Sequence, residues 1–320
     1  MNMFLFNKHV RNTFLIILLL SGTVAKGQQV TSNSLFNLNR LNYNPAFAGA
    51  SDKIPISLHV RQQWMGFDDA PRSQYMSTHA FLPLKIGLGS VIFNNITGPT
   101  RQTGMKLAFS KHFRLNEEHW FSLGLSAEVF QNLFETGRLE TNIPGDPAIT
   151  GELQQRLAPD ASTGLFFYSE NYFAGFSVIN LMESKWDLFE TSLDFNNPVA
   201  RTFYLTGGYV FTLNELFRYQ PSVLVKKSIG LPLQLDACNQ LYYRDFLWAG
   251  ASFRTNLDGI IMTGFRYSIF EFVYAFDITF GEIRNYNHGS HEIILRFNLS
   301  NPNRSAYKYL KRHNQNRFAW

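Results

Sequence analysis

The 320-residue chain lacks an apolar stretch of about 20 residues, so no helix in it is built to span a bilayer. Charge is also scarce: 17% of residues are Asp, Glu, Lys or Arg, against roughly 25% in ordinary soluble domains. Cysteine occurs once, at Cys238, which excludes an intramolecular disulfide and leaves no cysteine near the N-terminus to carry a lipid anchor. No G-x-S-x-G, phosphate-binding glycine loop or H-E-x-x-H is found, which removes the common hydrolase, nucleotide-binding and metalloprotease signatures. Aromatic residues, by contrast, are abundant at 16%. Many aromatics with few charges and no membrane helix suit membrane-crossing strands, although a soluble all-β protein with a large core shares that composition.

The charge that exists is unevenly placed. Lys8 and Arg11 precede the apolar run Phe14 to Leu20, and Ala25-Lys26-Gly27 puts small residues at −3 and −1 relative to Gln28. This is the layout of a secretory signal, and the run is too short to stay behind as an anchor. Removing residues 1–27, which carry three bases and no acid, lowers the formal net charge from +5 to +2. The segment Ser300 to Trp320 holds five more bases (Arg304, Lys308, Lys311, Arg312 and Arg317) and no acid, leaving −3 for the body. The basic pI thus comes from the two ends and gives no reason to expect a nucleic-acid partner.

Period-two alternation dominates the body. Phe270, Phe272, Tyr274, Phe276, Ile278 and Phe280 share one face of a strand; Glu271, Val273, Ala275, Asp277 and Thr279 share the other. Ile293, Leu295, Phe297 and Leu299 likewise oppose Ser290, Glu292, Arg296 and Asn298, and Phe121 to Val129 opposes Ser122, Gly124, Ser126 and Glu128. Strands are predicted near 55–64, 73–82, 86–95, 101–113, 119–131, 162–169, 172–180, 200–213, 218–228, 232–243, 246–255, 259–268, 270–280 and 289–299. The number is even, as a bacterial single-chain barrel requires, so the expected fold is all-β: a transmembrane antiparallel β-barrel of about 14 strands. Connections sort by parity. One set is short (83–85, 114–118, 170–171, 214–217, 244–245 and the Ile269 junction). The other contains the long pieces Met65 to Arg72, Asn132 to Ala161, Leu181 to Val199 and Gly281 to His288. Short periplasmic turns and long exterior loops are the barrel asymmetry, and a soluble sandwich has no reason to show it.

Three regions follow: a signal at 1–27, a barrel domain at 28–299 that begins with a non-strand segment at 28–53, and a basic tail at 300–320. The segment 28–53 carries Asn44-Pro45-Ala46-Phe47-Ala48-Gly49, a run of turn signals. It reads either as a loosely held periplasmic arm or as a plug folded into the lumen. Charges expected to point inward are Glu128, Asp236, Arg254, Arg266, Glu271, Asp277, Glu292 and Arg296. Their mixed signs fit ion pairs across a narrow lumen better than a single-sign selectivity ring. His288 and His291 lie three apart beside Glu292, but strand geometry sends them to opposite faces, so they do not make one metal face. Asp146 and Asp160 have few acidic neighbours with which to hold calcium. No catalytic constellation, metal or cofactor is expected.

The order of motifs adds a resemblance. Asn44-Pro-Ala-Phe-Ala-Gly49 is followed by Arg61-Gln-Gln-Trp64-Met-Gly66 and Ala70-Pro71. Further on come Gly87-Leu-Gly89, Asp146-Pro147, Pro221-Ser222, Trp248-Ala-Gly250 and Gly289-Ser-His-Glu292. From about Gln28 to Leu299 the chain resembles the PorP/SprF family of type IX secretion-system membrane proteins of Bacteroidota; the tail after Leu299 matches nothing in that pattern. The resemblance implies an outer-membrane protein that helps export or anchor large surface adhesins, some used in gliding. It also implies work beside the secretion channel and its periplasmic ring proteins, without catalytic residues. The expected partners are then the bilayer, secretion components and an adhesin C-terminal domain. Arg61 and Trp64, at the exterior end of the first strand, are candidate partner-binding residues, since Arg and Trp dominate binding hot spots. A structural Arg beside an interface-belt Trp explains the same pair. The alternative function is a diffusion or hydrophobic-substrate channel.

The mature chain is expected to begin near Gln28 and to fractionate with the outer membrane, its band shifting on heating in detergent. Recovery as a soluble periplasmic protein after mild lysis would overturn the barrel reading.

Overall fold

The computed structural model describes residues 33–135, 153–184, 199–255, 258–280, 284–285 and 287–303. Fourteen antiparallel strands form a closed barrel. They are β1 (Lys53–Gln62), β2 (Arg72–Leu82), β3 (Ile86–Thr97), β4 (Thr100–Arg114), β5 (Trp120–Glu135), β6 (Leu153–Tyr168) and β7 (Tyr172–Ile179). The eighth, β8 (Thr202–Tyr209), resumes at Phe211–Thr212 after an interruption at Val210. The rest are β9 (Phe217–Ser228), β10 (Gln234–Tyr243), β11 (Leu247–Arg254), β12 (Asp258–Tyr267), β13 (Phe270–Thr279) and β14 (Ser290–Ser300). Each strand pairs with its sequence neighbours, and β14 closes on β1 from Lys53↔Ser300 to Gln62↔His291. No edge is left open. Among the described residues no helix is long and apolar enough to cross a membrane, so the crossing is made by strands.

The alternation read from the sequence is the inside–outside division of the wall. On β13, Glu271, Val273, Ala275, Asp277 and Thr279 are buried, while Phe270, Phe272, Tyr274, Phe276 and Ile278 point out. On β5, Leu123, Leu125 and Val129 face outward and Ser122, Gly124, Ser126 and Glu128 face the lumen. All long connections leave from one end, which in such barrels is the exterior; the opposite end has only short turns. Outward aromatics line that short-turn end: Phe113 against Phe121, Phe167 against Tyr172, Tyr172 against Tyr209, Phe211 against Tyr219, Phe217 against Tyr243 and Phe270 against Phe297, with ring centroids between 5.3 and 6.4 Å apart. Amphipathic rings favour the headgroup level, and this band marks the periplasmic interface. Outward polar pairs mark the other boundary. Asn94 donates to Gln74 and accepts from Thr103, and Gln131 donates to Gln155.

One sequence expectation is corrected. The sequence suggests a loop from Asn132 to Ala161, but β5 continues to Glu135 and β6 begins at Leu153, paired along the whole length from Glu135↔Leu153 to Trp120↔Tyr168. The hairpin rises beyond the polar boundary, where the outward face meets water and needs no apolar alternation, so its polar residues do not read as strand. Pro159 adds a false break signal. Pairing of β6 with β7 starts only at Thr163, so Pro159 lies where one side of the strand is unpaired and its missing N–H is tolerated. The exterior connection narrows to 136–152, which lies outside the described residues, as does Asp146.

The outward face generates a test. Leu125 is 62% exposed on the apolar band, where an arginine costs about 2–4 kcal/mol at mid-bilayer depth. Leu125→Arg is expected to lower the yield of heat-modifiable barrel strongly, while Gln131→Arg, on the same face above the band, assembles normally. Equal assembly of the two variants would show that the band is misplaced.

Candidate functional site

The distinctive part of this molecule is inside the barrel. Residues 33–52 do not hang below it; they run through the lumen as a plug made of two short 3₁₀ turns, Arg40–Asn42 and Pro45–Phe47. Leu35, Phe36, Leu41, Ala46, Phe47 and Ala48 are buried. The local sequence dictates these turns. Asn44 takes an extended conformation, and its side chain accepts the Ala46 N–H at 3.0 Å. Pro45 follows at the first helical position, where its missing N–H costs nothing. Gly49 ends the turn at φ 74°, a conformation that favours glycine.

A turn-rich segment leaves many peptide groups without partners, and burying them unpaired is costly. The wall supplies the partners. Ser177 donates to the carbonyl of Tyr43 (2.6 Å), Ser122 to that of Ala46 (2.7 Å), and Ser110 to that of Ala48 (2.7 Å). Lys106, paired with Glu128 at 3.0 Å, also donates to the Asn42 carbonyl at 3.0 Å. Arg296 donates to the Leu38 carbonyl at 2.6 Å. In the other direction, the Gly49 N–H donates to His79 Nδ1, and the N–H groups of Ser34 and Leu35 donate to the two oxygens of Glu292 at 2.8 and 3.1 Å.

Close approach is made possible by inward glycines on β3, β5 and β6. A Cβ added at Gly87 would lie 2.0 Å from the Ala48 oxygen, one at Gly124 2.2 Å from the Ala46 nitrogen, and one at Gly164 2.2 Å from Asn44 Oδ1. The Asn-Pro-Ala-Phe-Ala-Gly run therefore rests on a seat of glycines and serines. Arg40, the single charged residue between 33 and 51, is buried with its guanidinium carbon 3.7 Å from the centroid of the Phe173 ring. That distance gives a cation–π contact in a desolvated place.

The opposite wall is charged. Arg61 bridges Asp277 (2.7 Å) and Glu292 (2.8 Å) and also donates to Ser34 Oγ, which in turn donates to Asp277 at 2.6 Å. His59 Nε2 lies 2.9 Å from Glu292. Asp236 takes a two-point contact from Arg254, which reaches the Asn33 carbonyl at 3.1 Å. Glu271 sits between Arg266 and Arg296. All eight charges expected to face the lumen do so, in ion pairs.

Arg61 is 2% exposed, so it is a lumenal residue holding the plug and is out of reach of an exterior partner. The candidate pair is thereby split. Trp64 lies at the loop-rich rim at φ 47°, half-buried, with its backbone N–H donating to Ser290 Oγ. Beside it Met65 exchanges backbone hydrogen bonds with Gly289 and His288, and Met65 and Phe67 stay exposed. His291 faces outward and meets the Tyr274 hydroxyl at 2.7 Å, whereas His288 sits at the rim. Among the described residues no group of three or more His, Cys, Asp or Glu side chains is placed to hold a metal. Asp160 accepts the N–H groups of Ala161 and Met182.

A closed strand barrel with an apolar outer band, an interfacial ring belt and an occupied polar lumen is an outer-membrane β-barrel protein. Residues 24–297 match the family described as type IX secretion system membrane protein PorP/SprF, and the chain belongs to that family. It is an outer-membrane component of the type IX secretion system. No curated protein matches it. Among solved structures it is similar to the Ralstonia pickettii toluene transporter TbuX, with 11% identity, 80% of this chain and 92% of that chain covered and a TM-score of 0.49. It is also similar to the Pseudomonas putida toluene transporter TodX, with 11% identity, 85% and 95% covered and a TM-score of 0.47.

The glycine seat yields a prediction. Gly124→Ala forces a methyl into the Ala46 backbone and is expected to unseat the turn, an overpacking cost of roughly 1–3 kcal/mol. Gly207→Ala, whose added carbon would meet its nearest neighbour only at 3.8 Å, leaves the plug in place. In planar bilayers the Gly124 variant should show more frequent openings than the parent and the Gly207 variant should not. Identical traces from all three would mean that the seat does not hold the plug.

Proposed function

We propose that this barrel serves type IX secretion by exporting or anchoring one or a few large surface adhesins, engaging the C-terminal domain of each through its exterior loops, and that it performs no chemistry itself. The observation that carries this reading is the plug. A lumen whose wall donors and acceptors are matched to the peptide groups of residues 33–52 is furnished to hold its own chain. That leaves the exterior face, with its long connections and the tall β5–β6 hairpin, as the surface for recognition, and loops on a rigid scaffold commonly carry it. Trp64, Met65 and Phe67 at the rim belong to that surface. At the other end the connections are short turns, a low-relief face against which the secretion channel and its periplasmic ring proteins would dock.

Deleting the gene is expected to remove one or a few large proteins from the cell surface while general secretion through the same system continues, and pull-down of the barrel should recover the C-terminal domain of such a protein. An unchanged surface proteome accompanied by loss of uptake of a small solute would reject the proposal in favour of a diffusion or hydrophobic-substrate channel.

A further inference from the structure

Between the apolar band and the loop-rich rim, the outward face of β2 to β5 changes chemistry in steps. Register lines up the outward residues of neighbouring strands in rows across the wall. The row Met76, Ile92, Met105 and Val129 is apolar and exposed. One outward position higher, about 7 Å along the strands, the row Gln74, Asn94, Thr103 and Gln131 is polar throughout. One position higher again, Arg72 and Arg101 flank Ile96. Two strand spacings, about 10 Å, separate these arginines, close enough for both long side chains to converge on one small anion. Both are exposed, and among the described residues neither pairs with a carboxylate. Arg72 Nε donates to Gln62 Oε1 at 2.7 Å, which steadies the guanidinium and leaves its two terminal nitrogens to grip an oxyanion as a fork. On the same face Glu135 stands one position above Leu133, the register partner of Arg101, and so lies farther from the band.

We propose that this patch is a docking site for the phosphorylated saccharide headgroup of an outer-leaflet glycolipid. The order of the rows selects that occupant. A molecule lying along the wall here meets an apolar row, then a ladder of amides and a hydroxyl, then two guanidinium groups. Acyl chains, sugar hydroxyls and a phosphate follow one another in that order in such a lipid. A soluble anion would meet the arginines alone and gain nothing from the rows beneath them. Within the ladder Asn94 donates to Gln74 and accepts from Thr103, which fixes the amides in place and leaves further donors and acceptors facing outward for the sugar. Arginine at both charged positions suits phosphate, whose oxygens match the planar fork. At the periplasmic end of β4 the outward base is instead Lys111, whose ammonium donates to the Leu84 carbonyl at 2.6 Å. Lipid bound at the arginines would fix the depth of this side of the barrel in the outer leaflet, whichever secreted partner the loops engage.

The test uses the full chain, purified in a neutral detergent and titrated with bisphosphorylated lipid A. The parent is expected to bind saturably. The double variant R72Q/R101Q is expected to bind about tenfold more weakly or worse, as loss of two charge-assisted contacts implies, while Lys111→Gln binds as the parent does. The heat-dependent band shift checks that each variant is assembled. Lipid A stripped of its phosphates should bind the parent as weakly as the intact lipid binds the double variant, and this comparison decides alone if the double variant does not assemble. Equal affinity of parent and assembled double variant, or of phosphorylated and stripped lipid, overturns the proposal. So does full displacement of the lipid by inorganic phosphate, which would show a simple anion site that does not recognise the glycolipid.

Discussion

The structure depends on one requirement, that every peptide group of a strandless segment sealed inside a barrel find a partner. Strands satisfy themselves through their ladder; residues 33–52 do not, because two 3₁₀ turns satisfy only part of their own backbone. Much of the remainder is met by side chains of the wall, and this explains why the lumen is polar although the plug that fills it is half apolar. Serines and glycines stand where the backbone must come close, and arginines and carboxylates stand where the plug can be gripped at longer reach. Replacing Ser122 or Ser177 by a larger apolar residue would leave the Ala46 or Tyr43 carbonyl of the plug without its wall donor, at a cost of about 1–3 kcal/mol each.

The charged half of the lumen obeys the same logic. Buried ion pairs are poor sources of net stability, because desolvation offsets their attraction. Here they do a second job. Asp277, Glu292 and Arg61 pair with one another and also hold Ser34, and the second oxygen of Glu292 holds Leu35. A hydrophobic replacement of the network would keep the wall closed but would free Ser34 and Leu35. That accounts for mixed signs without a selectivity ring: the charges are arranged around a peptide segment and not around a passing ion.

Much of the wall was legible in the sequence because the strand period is two and one face must be apolar in lipid. Phe270 to Thr279 and Ser290 to Ser300 declare their faces residue by residue, and loop parity fixed the two ends. The β5–β6 extension was not legible because above the membrane both faces are wet and the alternation ceases to mean anything. The plug was legible only as a choice between arm and lumen. Its seat was written as small inward residues on β3, β5 and β6 (Gly87, Gly124, Gly164), against charged ones on β13 and β14 (Glu271, Asp277, Glu292, Arg296). That asymmetry becomes a binding surface only when strands far apart in sequence are laid side by side. Arg61 does stand near the exterior end of β1, where the sequence places it, but it shares the inward face with Ser57 and His59 and turns onto Asp277 and Glu292.

The closing seam between β14 and β1 bears on how the molecule comes to be. The seat for the Asn-Pro-Ala turn is built by β3, β5, β6 and their neighbours, which lie close to the plug in sequence, whereas the grip on Ser34 comes from Glu292, 258 residues further along. A growing sheet can therefore collect the plug on its early strands while still open. Only when the last strand meets the first do Arg61, Asp277 and Glu292 come together around the segment's beginning. Cylinder closure and the grip on Ser34 and Leu35 are then a single event.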